Sequence, residues 1–121
     1  MAKFSIKDRI MSFTHAYRGL QVLLKSEHNA WIHLALSIIA VTMGLYLHIS
    51  NHEWIAIIIC IGMVLAAEIF NTAIEHIANF VQPHQDLRIK MIKDLGAAGV
   101  FMTAISALIV GLIIFLPKIM A

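Results

Sequence analysis

Three long apolar runs and one amphipathic stretch organise the chain. The runs cover about 30–49, then 54 onward without interruption to Ala67, then about 95–116. A helix needs about 20 apolar residues to cross a hydrocarbon layer of about 30 Å. The first and third runs reach that length, and the second reaches it when Glu68 and Asn71 are included. The runs are continuous rather than alternating, which argues for helices over barrel strands. The expected architecture is an all-α membrane protein with three transmembrane helices over 30–49, 54–80 and 94–117, the last stopping at Pro117. These spans and a surface helix within 1–29 form a single domain, 1–121.

The surface helix is read from a stripe. Ile6, Ile10, Phe13, Tyr17, Leu20 and Leu24 recur at intervals of four and three, with Asp8, Ser12, His15 and Gly19 off the stripe. Such a segment lies in a membrane surface or packs on the bundle itself.

Composition agrees with lipid as the solvent. The 121 residues are 60% hydrophobic and 13% charged, against about 45–50% and about 25% in soluble domains. Cys60 is the single cysteine, so no intrachain disulfide can form. No signal peptide is evident in 1–29.

Charge placement sets orientation. Lys3, Lys7, Arg9, Arg18 and Lys25 precede the first span, and Arg88, Lys90 and Lys93 lie between the second and third. Only Lys118 falls on the other side. Positive residues favour the cytoplasm, so the N-terminus is expected inside.

The sharpest chemistry lies in AAEIFNTAIEHIANF, 66–80. Glu68, Asn71, Glu75 and Asn79 are spaced three, four and four, which places them on one helix face. Ionisable residues inside a span are costly and commonly functional, although hydrogen bonding between helices is the simpler role. At 1.5 Å per residue, Glu68 lies roughly 21 Å from Trp54 and Glu75 roughly 31 Å. Glu68 is thus expected inside the lipid boundary, where a desolvated carboxylate can serve as a base. Glu75 is expected at the boundary, where it can hold magnesium.

Glu27, in SEHN, falls at the depth of Glu75. Lys93 and Asp94, in IKDLGAAG, open the third span, the lysine suited to phosphate and the aspartate to capping or orienting a ligand. Gly96, Ala97, Ala98 and Gly99 permit close packing. His28, His33 and His76 lie nearby and read as polar anchors rather than ligands. No Cys/His zinc spacing, P-loop or Rossmann fingerprint occurs.

Three blocks, AEIFNTAIE at 67–75, IKDLGAAGV at 92–100 and SEHN at 26–29, resemble the small membrane-embedded prokaryotic diacylglycerol kinases, including the undecaprenol kinase branch. The resemblance runs from about 13 to 117. It implies ATP-dependent phosphorylation of a lipid alcohol in the bacterial cytoplasmic (inner) membrane, at its cytoplasmic face. It further implies Mg2+, a homotrimer with shared sites, and no nucleic-acid partner. Glu68 then looks like the catalytic base, and Glu27 and Glu75 like the magnesium ligands. Asn71, Lys93 and Asp94 match ATP-positioning residues, and Arg9, Tyr17, Asn79 and Asp86 are further candidate nucleotide contacts. Glu68 and Ala97 are the candidate lipid contacts. The family commonly has aspartate where this chain has Asn79, and the loop VQPHQDLRIKM at 81–91 departs from usual family loops. The run HNAWIH, 28–33, looks more like the undecaprenol kinase branch.

Two other functions fit an apolar chain with intramembrane acids: a proton or ion pathway, and an assembly scaffold. The outer halves of the spans carry few polar residues, which disfavours the pathway. A scaffold has no need of acids, amides and a lysine gathered at one depth.

Overall fold

A computed structural model describes residues 3–121. It contains four helices and, among the described residues, no strand: α1 (Ile6–Ser26), α2 (His28–Leu47), α3 (Asn51–Val81) and α4 (Leu87–Met120). The last three are long and apolar enough to cross a membrane. At 1.5 Å per residue, α2 measures about 30 Å, α3 about 46 Å and α4 about 51 Å. A hydrocarbon layer is about 30 Å thick, so α3 and α4 must project beyond it.

The projection is at the end opposite the α2–α3 turn, because that turn holds the two helices level. α2 ends on His48, which adopts a left-handed conformation (φ 51°). Two residues later Ser50 caps α3 in a capping box with Glu53. The Ser50 hydroxyl accepts from the Glu53 backbone N–H at 3.3 Å, and Glu53 Oε1 accepts from the Ser50 N–H at 2.9 Å. Glu53 Oε2 also meets Lys118 Nζ from α4 at 3.0 Å, which ties the start of α3 to the end of α4. Gly44 lets α2 approach this corner: a Cβ there would stand 2.7 Å from the Trp54 ring. Ile49, Ile57, Ile114 and Phe115 form the buried apolar cluster beside it.

The helix that carries the third apolar run extends beyond it at both ends. α4 begins at Leu87 under an Asp86 cap, so Lys93 and Asp94 lie about two turns inside the helix and Asp94 does not cap it. The charged turns preceding Leu95 continue the helix outside the apolar run. At the other end α4 passes through Pro117 to Met120. Proline removes one hydrogen bond to the preceding turn, but so near the terminus few helical bonds remain to be lost.

α1 turns into α2 at Glu27, the shared cap residue, and the Trp31 indole donates to the Leu24 carbonyl at 2.7 Å across the elbow. Leu23 is buried, whereas Ile6, Ile10, Phe13, Tyr17 and Leu20 stand exposed. The stripe is therefore not spent on the bundle of its own chain, as a membrane-surface helix requires. Most large apolar residues of α2, α3 and α4 are exposed as well, which water would not tolerate and lipid would.

Candidate active site

The site forms where α3 faces α2 and α4, toward the projecting end. Its centre is Glu68, 1% exposed and the largest fully buried side chain. Asn71 and Thr72, one turn on, are also buried. Glu68 Oε1, Asn71 Oδ1 and Thr72 Oγ1 have no hydrogen-bond partner. Buried polar atoms are usually satisfied, because an unpaired one costs about 1–3 kcal/mol. Three such oxygens lie within two helical turns, each able to take a bond from another group.

His33 of α2 comes closest to Glu68, with Nε2 3.1 Å from Oε1. The distance suits a hydrogen bond, but none is formed and the oxygen remains unpaired. The sequence marks His33 only as an anchor. The spacing within α3 gives no signal for Thr72 either, since it lies one residue off the Glu68–Asn71–Glu75 stripe.

One and two turns further out the site becomes charged. Glu75 is half-buried, with its carboxyl within hydrogen-bonding reach of Glu27 and with Lys93 and His76 close enough to act on its charge. The elbow at Glu27 makes this possible by swinging the start of α2 toward α3. Lys93 Nζ donates to Asn79 Oδ1 at 2.6 Å across the α3–α4 interface. Asparagine at 79 accepts this bond as an aspartate would, without the charge. Among the described residues no cluster of three metal-ligating side chains forms. Two facing carboxyls nevertheless suit magnesium, which takes one or two protein carboxylates and completes its shell with water and substrate phosphates.

The other predicted contacts are less convergent. Asp94 is exposed and bound by Lys90 at 2.7 Å. Asp86 accepts from the Arg88 backbone and guanidinium, which holds its carboxyl below the usual range. It also borders an open pocket of about 680 Å³ that includes Gln82, His84, Lys90 and Lys93. Arg9 and Tyr17 lie exposed on α1, with the Arg9 guanidinium 5.6 Å from the Phe4 ring centre. Ala97 is exposed on α4.

Its neighbour Gly96 faces inward, where a Cβ would collide with Asn71 Oδ1. Gly96→Ala is expected to turn the Asn71 amide away and lower turnover by on the order of 10–100-fold, the scale of an ångström misplacement. Gly99→Ala, whose Cβ meets nothing, is the control. Equal turnover in the two variants would detach Asn71 from the reaction.

Below Glu68 an apolar groove of about 410 Å³ runs between α2, α3 and α4 from His33 past Met43 and Val64 to Phe115. Membrane-crossing helices, a buried carboxylate and an acidic-and-basic mouth belong to a membrane-embedded lipid kinase. The chain belongs to the prokaryotic diacylglycerol kinase family, whose model matches residues 14–115. It is 35% identical over 108 residues to an undecaprenol kinase of Bacillus subtilis, covering 89% of this chain and 88% of that one. It is 27% identical over 114 residues to a diacylglycerol kinase of Synechocystis, covering 93% of this chain and 65% of that longer protein. The ion-pathway and scaffold alternatives give way to this family membership.

Proposed function

We propose that the protein phosphorylates a membrane lipid alcohol from magnesium-ATP, with undecaprenol as the preferred acceptor. The observation that carries this reading is the order of groups along α3. Buried Glu68 lies about 10 Å inboard of Glu75 at 1.5 Å per residue, and Glu75 faces Glu27 and Lys93. A lipid hydroxyl and a nucleotide approach one another across that step from lipid and from water. The high identity and nearly equal length of the undecaprenol kinase relative favour its substrate class. The groove leading from His33 offers room for the part of the tail next to the hydroxyl.

Glu68 takes the hydroxyl proton as the lipid oxygen attacks the γ-phosphorus. Glu27 and Glu75 would hold magnesium, which supplies charge neutralisation on the phosphates when bound. Lys93, released from Asn79, pairs with phosphate oxygens, and Asn71 orients the nucleotide. Asp94, Asp86, Asn79, Arg9 and Tyr17 serve as outer nucleotide contacts, and Ala97 borders the lipid. Phosphoryl transfer rests mainly on positioning and charge stabilisation, so a small set suffices. The site faces the cytoplasm of a bacterial inner membrane, on the side that carries eight of the nine positive residues. The enzyme works as a homotrimer, which covers exposed apolar faces of α2 and α4 and shares sites between subunits.

The test is phosphate transfer by the purified protein in detergent micelles, with undecaprenol and diacylglycerol offered in parallel. Faster transfer to undecaprenol is expected. Faster transfer to diacylglycerol would move the acceptor to the second class. Transfer to neither, by folded protein that binds ATP, would overturn both.

A further inference from the structure

A base shut away from water must pass on the proton it takes. Glu68 is 1% exposed, so it has no direct exchange with solvent. The charged or titratable groups that act on it are His33 from α2 and Glu75 from its own helix. Glu75 is itself engaged with Glu27 and Lys93. His33 is different. Its Nε2 stands 3.1 Å from Glu68 Oε1, its side chain is 18% exposed, and it lines the open groove. It therefore touches the buried carboxylate and, partly exposed and about 9 Å along the chain from Glu27 at 1.5 Å per residue, stands between that carboxylate and the charged mouth.

We infer that His33 is a positioning and proton-relay residue acting through Glu68, a role that rests on Glu68 being the base. The lipid oxygen forms a bond to the γ-phosphorus. The bond from that phosphorus to the β,γ-bridging oxygen breaks, and ADP leaves with its electron pair. The hydroxyl proton goes to Glu68. It then moves onto His33 Nε2, and the resulting imidazolium releases a proton from Nδ1 to water as products depart. Neutral imidazole and free carboxylate are restored, and nothing else is consumed. The unformed hydrogen bond of the resting site fits this sequence, because catalytic hydrogen bonds commonly tighten only when substrate is bound. Once substrate draws the contact tight, it aims Glu68 by holding one oxygen and leaving the other for the hydroxyl.

A purely structural histidine would fill space and soften the burial of Glu68. Glutamine keeps much of that volume and a hydrogen-bonding end but cannot carry a proton. In the full-length protein, His33→Gln is expected to lower kcat by about 10–100-fold with KM for ATP and lipid unchanged. His33→Ala should fall at least as far and recover about tenfold when free imidazole is added, since the side chain it replaces is partly exposed. Imidazole should do nothing for Glu68→Gln. Wild-type kcat in His33→Gln would overturn the relay, as would a folded His33→Ala that imidazole leaves unchanged. Normal turnover in Glu68→Gln would instead remove the base assignment, whereas an inactive Glu68→Gln beside a fully active His33→Gln would sink the relay alone.

Discussion

Glu68→Gln is expected to lower kcat by about 10²–10⁴-fold, the range that a positioned general base supplies, while leaving ATP binding within a few-fold of normal. The substitution changes almost nothing in shape. It removes the one buried carboxylate and replaces it with an amide that cannot accept the hydroxyl proton at neutral pH. Stability should not suffer. Oε1 has no hydrogen-bond partner in the native site, and a buried charge with poor pairing is rarely a net stabiliser. The thermal midpoint in micelles should therefore hold or rise, which separates lost chemistry from lost fold. Glu68→Asp gives a graded comparison. It keeps the carboxylate but draws it back by about one bond length, so turnover should fall between the wild type and Glu68→Gln. A Gln variant within a few-fold of wild-type turnover would rule out Glu68 as the base. Magnesium-ATP titration in the same preparation checks that the nucleotide still binds.

What was legible in the sequence follows from what is local. Run length alone identifies three spans, and the 4-3-4-3-4 intervals from Ile6 to Leu24 identify the surface helix. The 3-4 spacing places Glu68, Asn71 and Glu75 on one face, and α3 turns that face inward. Helix ends were not legible where hydropathy and helicity part. α4 starts at Leu87 because a helix needs a cap and good helix formers, not apolar residues, once it has left the lipid. Its continuation through Pro117 shows the reverse case, a weak stop that one lost bond near the terminus does not enforce. The His33–Glu68 contact was hidden for a different reason. It depends on the azimuth of α2 against α3, which no intrahelical spacing records. Thr72 was missed because a threonine in an apolar run reads as packing. Only the absence of a partner for its hydroxyl sets it apart.

The same distinction between local and cross-helix information governs the outer half of the site. Glu27 and Glu75 come from different helices, and their carboxyls face one another at hydrogen-bonding range. Without a cation, two carboxylates so placed repel each other. Each effect of a substitution therefore has a definite sign. Glu75→Gln replaces the repulsion with an amide donor toward Glu27, so the metal-free protein should unfold at a higher temperature than the wild type. The same change removes half of the protein's charge on magnesium, so the concentration needed for half-maximal turnover should rise by at least about tenfold, or about 1.4 kcal/mol. Glu27→Gln should do the same in both measurements. Because the two carboxylates act on one ion, the double variant should lose less magnesium affinity than the product of the single losses, with a coupling of about 0.5–3 kcal/mol. A pair that merely joins α1, α2 and α3 predicts the reverse: lower stability in each single variant and no change in magnesium dependence. Opposite signs in the two assays make the result decisive. A fall in midpoint with an unchanged magnesium requirement would remove Glu27 and Glu75 from the metal and leave them as a structural contact.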